Sequence, residues 1–186
     1  RADLARRLWM FRNHGIDKQV RDRQATWRQD MVTFGFNYRL TDIQSALGIS
    51  QLRRLDAGLA RREAIARQYQ AAFAPMAELL PAPTLAGTRH AWHIYPLRIE
   101  PDRLREDRET LFRALRAENI GVNVHYLPVH LHPFYRERFG TDRGLCPAAE
   151  EAADRLLTLP LFPQMTDGDV ADVVAAVERV IRWARR

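Results

Sequence analysis

The hydrophobic residues of the chain recur mostly at the three- and four-residue spacing of α-helices. The pattern is clearest in the last segment, where one apolar face consists of Val170, Val173, Val174, Val177, Val180 and Ile181. Thr166 and Asp169 stand before this face with the spacing of an N-cap residue and its partner in the first turn. The pattern therefore predicts a final amphipathic helix that begins after Thr166.

Four further segments have a helical pattern, and they cover residues 3–13, 41–73, 108–119 and 147–157. Thr41 and Gln44 have capping-box spacing at the start of the second segment, and Pro75 interrupts the pattern just beyond its end. This segment is longer than most helices of globular proteins. We therefore predict one long helix from Thr41 that bridges two bodies.

Three segments between the helices favour extended structure. Residues 92–99 and 122–126 are rich in strand-forming residues, and residues 159–161 are an extended apolar segment. From residue 90 onward the order is strand, helix, strand, helix, extended segment, helix. This order predicts a small α/β sandwich with helices on one face of a short sheet. The polar residues 16–31 and the proline-containing residues 81–87 are predicted to be loops.

Arginine supplies almost all of the positive charge. The chain has 29 basic residues, of which only Lys18 is a lysine, a net charge of +6, and a composition of 46% hydrophobic and 28% charged residues. A basic surface could bind nucleic acid. The arginines of residues 103–109 alternate with acids, however, which favours a mixed-charge surface on which a few arginines meet an anionic small substrate. We therefore expect no nucleic-acid partner.

Other features bear on the compartment. The sequence contains no stretch of 18 apolar residues, so it predicts no membrane-spanning helix. No apolar region follows the N-terminus, so it predicts no signal peptide there. The first residue is not Met, which leads us to expect a chain cut from a longer protein. Cys146 is the single cysteine, so an internal disulfide is excluded and a reducing cytoplasm is expected.

The segment before the long helix carries the first candidate chemistry. Asn37, Tyr38 and Arg39 stand between Gly35 and the capped helix, where side chains and backbone N–H groups can face an anion. Asparagine offers an amide donor, and arginine offers a two-pronged donor suited to phosphate. The alternative is a polar loop in which Arg39 pairs with Asp42. The residues alone leave both interpretations open.

The run Gly35-Phe36-Asn37-Tyr38-Arg39-Leu40-Thr41-Asp42-Ile43-Gln44-Ser45-Ala46-Leu47-Gly48 resembles a signature of the DegT/DnrJ/EryC1/StrS sugar aminotransferases. These enzymes use pyridoxal phosphate (PLP) to aminate nucleotide-linked keto-sugars. The resemblance implies that Asn37 reaches the PLP phosphate of the neighbouring subunit in a homodimer. It implies that Arg39, with Tyr38 beside it, lies on the substrate side of the shared site.

A second candidate site has three histidines in eight residues, His125, His130 and His132. They could suggest a metal site, but no cysteine is near and the acids come later, so we predict no metal. The alternative is one structural histidine and two surface histidines. The family has a His-Tyr-x-Pro-x-His run here that lines the nucleotide-sugar pocket. The resemblance thus implies that His125, Tyr126 and His130 bind substrate, and imidazole and phenol groups can hydrogen-bond sugar hydroxyls or a diphosphate.

The resemblance extends from about Asp3 to Ile181. It includes His14-Gly15, His93 and Tyr95 in a strand, and the segment from Leu159 to Pro163. The histidine-rich run and the segment His93-Ile94-Tyr95-Pro96 look closest to one branch of the family. That branch is the UDP-4-amino-4,6-dideoxy-N-acetyl-altrosamine transaminase branch of pseudaminic acid biosynthesis, which aminates a UDP-linked 4-keto-6-deoxy sugar.

The resemblance also implies the architecture of a fold type I PLP-dependent transferase, C-terminal part. Residues 1–40 would end the large PLP domain, residues 41–80 would form the bridging helix, and residues 81–186 would form the small α/β domain. Lys18 is not in the family's lysine context, so we expect no catalytic residue here. The Schiff-base lysine would lie upstream, and this chain alone should be inactive.

The implied activity of the full-length parent is transfer of an amino group, from glutamate, to a UDP-linked keto-sugar in polysaccharide biosynthesis. Two alternatives stay open. Relatives of the same fold replace the lysine by histidine and dehydrate sugars. The chain could also be a non-catalytic α/β interaction module. No membrane partner is expected in any of these cases.

Overall fold

The computed structural model describes residues 1–17 and 30–186. Within them the chain forms two compact units, Arg1–Arg54 and Leu55–Arg186. Most of the loop predicted at residues 16–31, together with Lys18, lies outside the described residues. The three-part division predicted at residues 40 and 80 stays a prediction. No helix in the described ranges combines the length and the apolar character needed to cross a bilayer.

The described part of the first unit includes two helices. Helix α1 is Ala2–Phe11, and helix α2 is Asp42–Leu52. The segments after α1 and before α2 pair through isolated antiparallel bridges, Asn13 with Asn37 and Ile16 with Met31. The predicted capping box of α2 is confirmed, because the Thr41 hydroxyl accepts from the Gln44 N–H and the Gln44 side chain accepts from the Thr41 N–H.

The single helix predicted from Thr41 to Phe73 is wrong, because the structure divides it into α2 and helix α3, Leu55–Phe73. At the break, the N–H of Arg54 donates to the carbonyl of Gln51 at 3.1 Å, three residues back instead of four. This tighter turn interrupts the α-helical hydrogen bonding. Leucines continue at helical spacing across the break, so the hydrophobic period gave no sign of it. Helix α3 ends at Phe73, shortly before Pro75, as predicted.

The second unit is built on a three-stranded antiparallel sheet in the order β1-β2-β3. The strands are β1, Leu79–Pro81, β2, Tyr95–Ile99, and β3, Leu156–Leu159. In β2 the buried residues Tyr95, Leu97 and Ile99 alternate with the less buried Pro96 and the exposed Arg98. Because successive strand residues point to opposite faces, one face of β2 is apolar and needs a cover.

Helices pack against the sheet and against one another. Helix α3 packs on β1, helix α4, Arg108–Ala117, packs on β3, and the last helix, α7, Asp167–Ala184, packs on both α3 and α4. The capping box of α7 between Thr166 and Asp169 is confirmed. The α/β sandwich predicted from the element order is therefore present. Its largest fully buried side chains are Ile65, Tyr69, Phe73, Tyr95, Leu97, Ile99, Leu104, Leu111, Val170 and Val177.

The strand predicted at residues 122–126 is wrong. Only Asn123 pairs, through one isolated bridge to Thr158 at the edge of β3. The N–H of Val124 is taken by the side-chain oxygen of Asn123 at 2.8 Å, which removes it from any ladder. Two short helices follow, α5, Pro133–Phe139, and α6, Pro147–Arg155. Helix α6 begins where the pattern predicted, whereas α5 was not predicted.

We expect Thr166→Ala to lower the free energy of unfolding by about 1 kcal/mol, because it removes the acceptor for the Asp169 N–H at the start of α7. Thr166→Ser keeps the hydroxyl and should lose much less. Urea unfolding followed by circular dichroism measures both variants. Equal stability of Thr166→Ala and the parent would contradict the assigned cap.

Candidate active-site segments in the two units

Two glycines bring the Asn37 segment against the end of α1. The N–H of His14 donates to the carbonyl of Phe36 at 2.9 Å, and the N–H of Tyr38 donates to the carbonyl of Arg12 at 2.9 Å. A Cβ on Gly35 would stand 2.2 Å from the backbone nitrogen of Gly15. Gly15 itself has φ of +70°, and a Cβ there would stand 1.6 Å from the carbonyl oxygen of Thr33. Only glycine fits both positions.

Asn37 and Arg39 form a cluster of hydrogen-bond donors on the surface of the first unit. The Nε of Arg39 donates to the Oδ1 of Asn37 at 3.1 Å. This bond uses the amide's acceptor, so the Nδ2 donors of Asn37 and the terminal nitrogens of Arg39 stay available. The alternative, an ion pair between Arg39 and Asp42, is not formed. Within the described residues Arg39 has no carboxylate partner. The cluster can therefore bind a phosphate.

Aromatic rings pack against one another on both sides of Asn37 in the sequence. Phe36 and Tyr38 are stacked with ring centroids 4.8 Å apart, and Phe11 of α1 meets Phe36 edge-on at 5.1 Å. The ring of Tyr38 remains mostly exposed. The stack fixes the direction of the backbone between Phe36 and Tyr38, and Asn37 lies between the two rings in sequence. The rings thus help to orient Asn37.

In the second unit the candidate residues lie on residues 123–130, which we call the strap. Asn123 and Thr158 exchange two backbone hydrogen bonds of 3.0 and 2.7 Å at the start of the strap. The rings of His125 and Tyr126 meet edge-on at 4.6 Å, and the peptide bond between these residues is cis. Tyr126 is 74% exposed. The Nδ1 atom of His125 is buried and has no hydrogen-bond partner in the described part of the chain.

His130 ends the strap with its side chain buried. Its Nε2 lies 2.7 Å from an oxygen of Glu150 on α6, a residue that sequence reasoning missed. Glu150 also accepts from the N–H groups of Gly144 and Cys146. The pKa of Glu150 is lowered, first by the hydrogen bond from Gly144, against burial, which raises it. Glu150 is therefore a carboxylate at neutral pH, and the Nε2 of His130 donates to it.

The histidines do not gather around a common point. His130 is buried against Glu150, and His132 is exposed at the start of α5. Over the described ranges, no group of three or more His, Cys, Asp or Glu side chains is placed to hold a metal ion. Tyr95, which matches the family's strand motif, is fully buried in the core, and burial raises the pKa of its hydroxyl.

The six predicted site residues thus fall into two sets. Asn37, Tyr38 and Arg39 lie together in the first unit. His125, Tyr126 and His130 lie together on the strap in the second unit. Glu150 lacks a motif of its own, although a glutamate in the first turn after Pro147 is a position from which a side chain can reach back to free N–H groups.

Two aminotransferases are among the solved structures that share this fold. DesV of S. venezuelae, solved in complex with a ketimine intermediate, matches with a TM-score of 0.80 and 32% identity over 100% of this chain and 45% of that chain. PseC of Helicobacter pylori, an aminotransferase of pseudaminic acid biosynthesis, matches with a TM-score of 0.81 and 24% identity over 98% of this chain and 47% of that chain. The predicted fold class, the C-terminal part of a fold type I PLP-dependent transferase, is confirmed.

The sequence comparison agrees with the fold. The profile of the DegT/DnrJ/EryC1/StrS aminotransferase family matches residues 2–178, so the chain belongs to this family. The spore coat polysaccharide biosynthesis protein SpsC of Bacillus subtilis is 37% identical over 186 residues, which are 98% of this chain and 48% of that protein. The chain thus spans about half the length of the relatives that it matches.

Gly35→Ala should destabilise the first unit by at least about 1–3 kcal/mol, because the new Cβ would meet the backbone at Gly15. The matched control is Gly48→Ala on α2, where a Cβ meets nothing within 4 Å. It should instead stabilise the unit by up to about 1 kcal/mol, since alanine favours a helix. Amide hydrogen exchange at His14 and Tyr38 measures the effect locally. Unchanged protection in Gly35→Ala would contradict the close approach.

Proposed function

We propose that the chain supplies two segments of the active site of a PLP-dependent nucleotide-sugar aminotransferase. The whole protein would transfer an amino group from glutamate to a UDP-linked 4-keto-6-deoxy sugar, in the cytoplasm, on the way to a cell-surface polysaccharide. Membership of an aminotransferase family supports this proposal, as does the relative SpsC, whose name refers to spore coat polysaccharide. The observation that carries it is the donor cluster at Asn37 and Arg39.

The residues present fit the phosphate of PLP. Asn37 would donate an amide hydrogen to it, and Arg39 would both orient that amide through the 3.1 Å bond and add positive charge. Aminotransferases of this family are PLP-dependent. When bound, PLP supplies an electron sink and carries the amino group between donor and acceptor. In the homodimer that we propose, Asn37 and Arg39 serve the site of the partner subunit, so each site is shared.

The strap would bind the sugar substrate. The exposed Tyr126 offers a hydroxyl, and the unpaired buried Nδ1 of His125 marks a polar atom whose partner a bound substrate or a neighbouring segment would supply. We assign both residues to the nucleotide-sugar pocket. A direct contact between His130 and the substrate stays a prediction. The bond of His130 to Glu150 also supports a role in positioning the strap. The pseudaminic acid branch, to which PseC belongs, stays our proposal for the sugar.

The surface charge supports a small anionic substrate over nucleic acid. Arginines pair with carboxylates at many places, for example Arg143 with Asp154 at 2.8 Å and Arg67 with Glu63 at 3.1 Å. Such pairing offsets the positive charge at these places, whereas nucleic-acid binding relies on basic side chains that are free to meet phosphates. The unpaired donors at Asn37 and Arg39 suit a single phosphate instead. We accordingly propose neither a nucleic-acid nor a membrane partner.

We propose that the amine that holds PLP comes from elsewhere, because Lys18, the only lysine here, is not in the family's lysine context. We propose that a segment N-terminal to these residues carries it, together with the groups that stack on the cofactor ring. This segment also decides between amination and the dehydration that relatives with histidine in place of the lysine perform. Neither this chain alone nor its two units should therefore transaminate.

The test of function combines this chain and its N-terminal segment in one polypeptide with PLP, a UDP-4-keto-6-deoxy sugar and glutamate. We expect an amino sugar, detected by mass spectrometry, and its formation should require glutamate. Loss of water from the sugar without an amine donor would assign the dehydratase reaction instead. Failure to bind PLP under these conditions would overturn the proposal and favour an interaction module.

In the polypeptide that joins this chain to its N-terminal segment, Asn37→Ala should weaken PLP binding about tenfold or more. The reason is that a hydrogen bond to a charged group contributes about 1.5–3 kcal/mol. Asn37→Asp should weaken it further, since a carboxylate repels the phosphate. Titration of the apoprotein with PLP, followed by absorbance, gives the affinities. Gln51→Ala, on the exposed surface of α2, is the matched amide control and should bind normally. Normal PLP affinity of Asn37→Ala would count against the assigned phosphate contact.

A further inference from the structure

Glu150 is a buried carboxylate that the proposed reaction does not use. Only 4% of its surface is exposed, although it stands in the first turn of α6 next to exposed residues. A carboxylate so buried would be costly without hydrogen-bond donors. The structure supplies three donors: the N–H of Gly144 at 2.8 and 2.9 Å, the N–H of Cys146 at 3.1 Å, and Nε2 of His130 at 2.7 Å.

The three donors come from both ends of a long excursion of the chain. His130 closes the strap before α5, whereas Gly144 and Cys146 follow α5 and precede α6. The hydroxyl of Thr141 adds a bond of 2.7 Å to the carbonyl of His130. The Glu150 carboxylate therefore closes the excursion between residues 130 and 150, and it fixes His130 in one orientation.

The backbone of the strap is hydrogen-bonded to the rest of the unit at its two ends and not along its middle. At the first end, Asn123 exchanges two backbone bonds with Thr158 of β3. At the second end, His130 is bound by Glu150. Between them, the backbone N–H groups of His125, Tyr126 and Leu127 have no backbone hydrogen bond in the described part of the chain. The position of the His125 and Tyr126 rings therefore depends on the two ends.

We propose that Glu150 is a positioning residue, which through His130 sets the place of His125 and Tyr126 on the strap. This inference rests on the proposed function in one respect, namely that the strap meets the sugar substrate. Glu150 does not touch the substrate in this account. It acts by keeping one end of the strap at a fixed distance from the other end on β3.

The isosteric variant Glu150→Gln tests the proposal. A glutamine has one acceptor oxygen instead of two. Its NH2 group, which is a donor, would replace a carboxylate oxygen that now accepts from the N–H of Gly144 or from His130. The variant therefore loses the bond from the Gly144 N–H, or it keeps a bond to His130 only if the imidazole changes tautomer so that Nε2 accepts from the amide. The matched control is Glu151→Gln, which changes the same charge on the next residue of α6, where the side chain is exposed and pairs with Arg155.

The first measurement is the imidazole and tyrosine NMR spectrum of the chain with labelled His and Tyr. In the parent we expect His130 in the Nε2–H form. In Glu150→Gln we expect shifted resonances of His130, His125 and Tyr126, and in Glu151→Gln we expect none of these shifts. Unchanged His125 and Tyr126 resonances in Glu150→Gln would overturn the proposal, whatever reaction the whole protein catalyses.

The second measurement is steady-state kinetics of the whole protein. A displaced strap should raise KM for the nucleotide sugar about tenfold, while kcat and PLP affinity change less than about twofold. A merely structural loss would lower the active fraction and leave KM as it was, which would overturn the positioning role. If Glu150→Gln does not fold, Thr141→Val replaces it, since the loss of the bond to His130 should shift the same resonances by smaller amounts.

Discussion

The second unit depends on the apolar face of its three-stranded sheet. Tyr95, Leu97 and Ile99 present this face on the central strand, helices α3 and α4 contact the outer strands, and α7 packs on both of these helices. Burial of apolar area at about 25 cal/mol per Å² is the main stabilising term in such a sandwich. Because β3 is fixed in this core, Thr158 gives Asn123 a firm anchor, and the strap begins at a well-defined point.

The other end of the strap depends on polar chemistry. Apolar packing tolerates small shifts, whereas a buried carboxylate such as Glu150 is stable only when donors surround it at hydrogen-bond distance. His130 is one of these donors, so its hydrogen bond to Glu150 restricts the position of that end of the strap. The first unit uses a steric constraint for the same purpose, because Gly15 and Gly35 allow two backbones to touch and so present Asn37.

Much of the fold could be predicted from local signals. The capping boxes at Thr41 and Thr166 are confirmed because a cap needs only residues within one turn. The strand predicted at residues 122–126 failed for the opposite reason, since a strand needs a partner along its length and only Asn123 finds one. The break between α2 and α3 was missed because one three-residue hydrogen bond, at Arg54, leaves the hydrophobic period intact.

The family, the helical caps and the residue types at the candidate site could be read from the sequence, because motifs and caps are properties of neighbours in the chain. The sequence also pointed to Asn37 and His125. The folded chain was needed to show that Arg39 bonds to Asn37 instead of pairing with Asp42, and that a glutamate 20 residues away binds His130. These choices depend on which donors and acceptors burial brings together, and sequence spacing does not encode such distances.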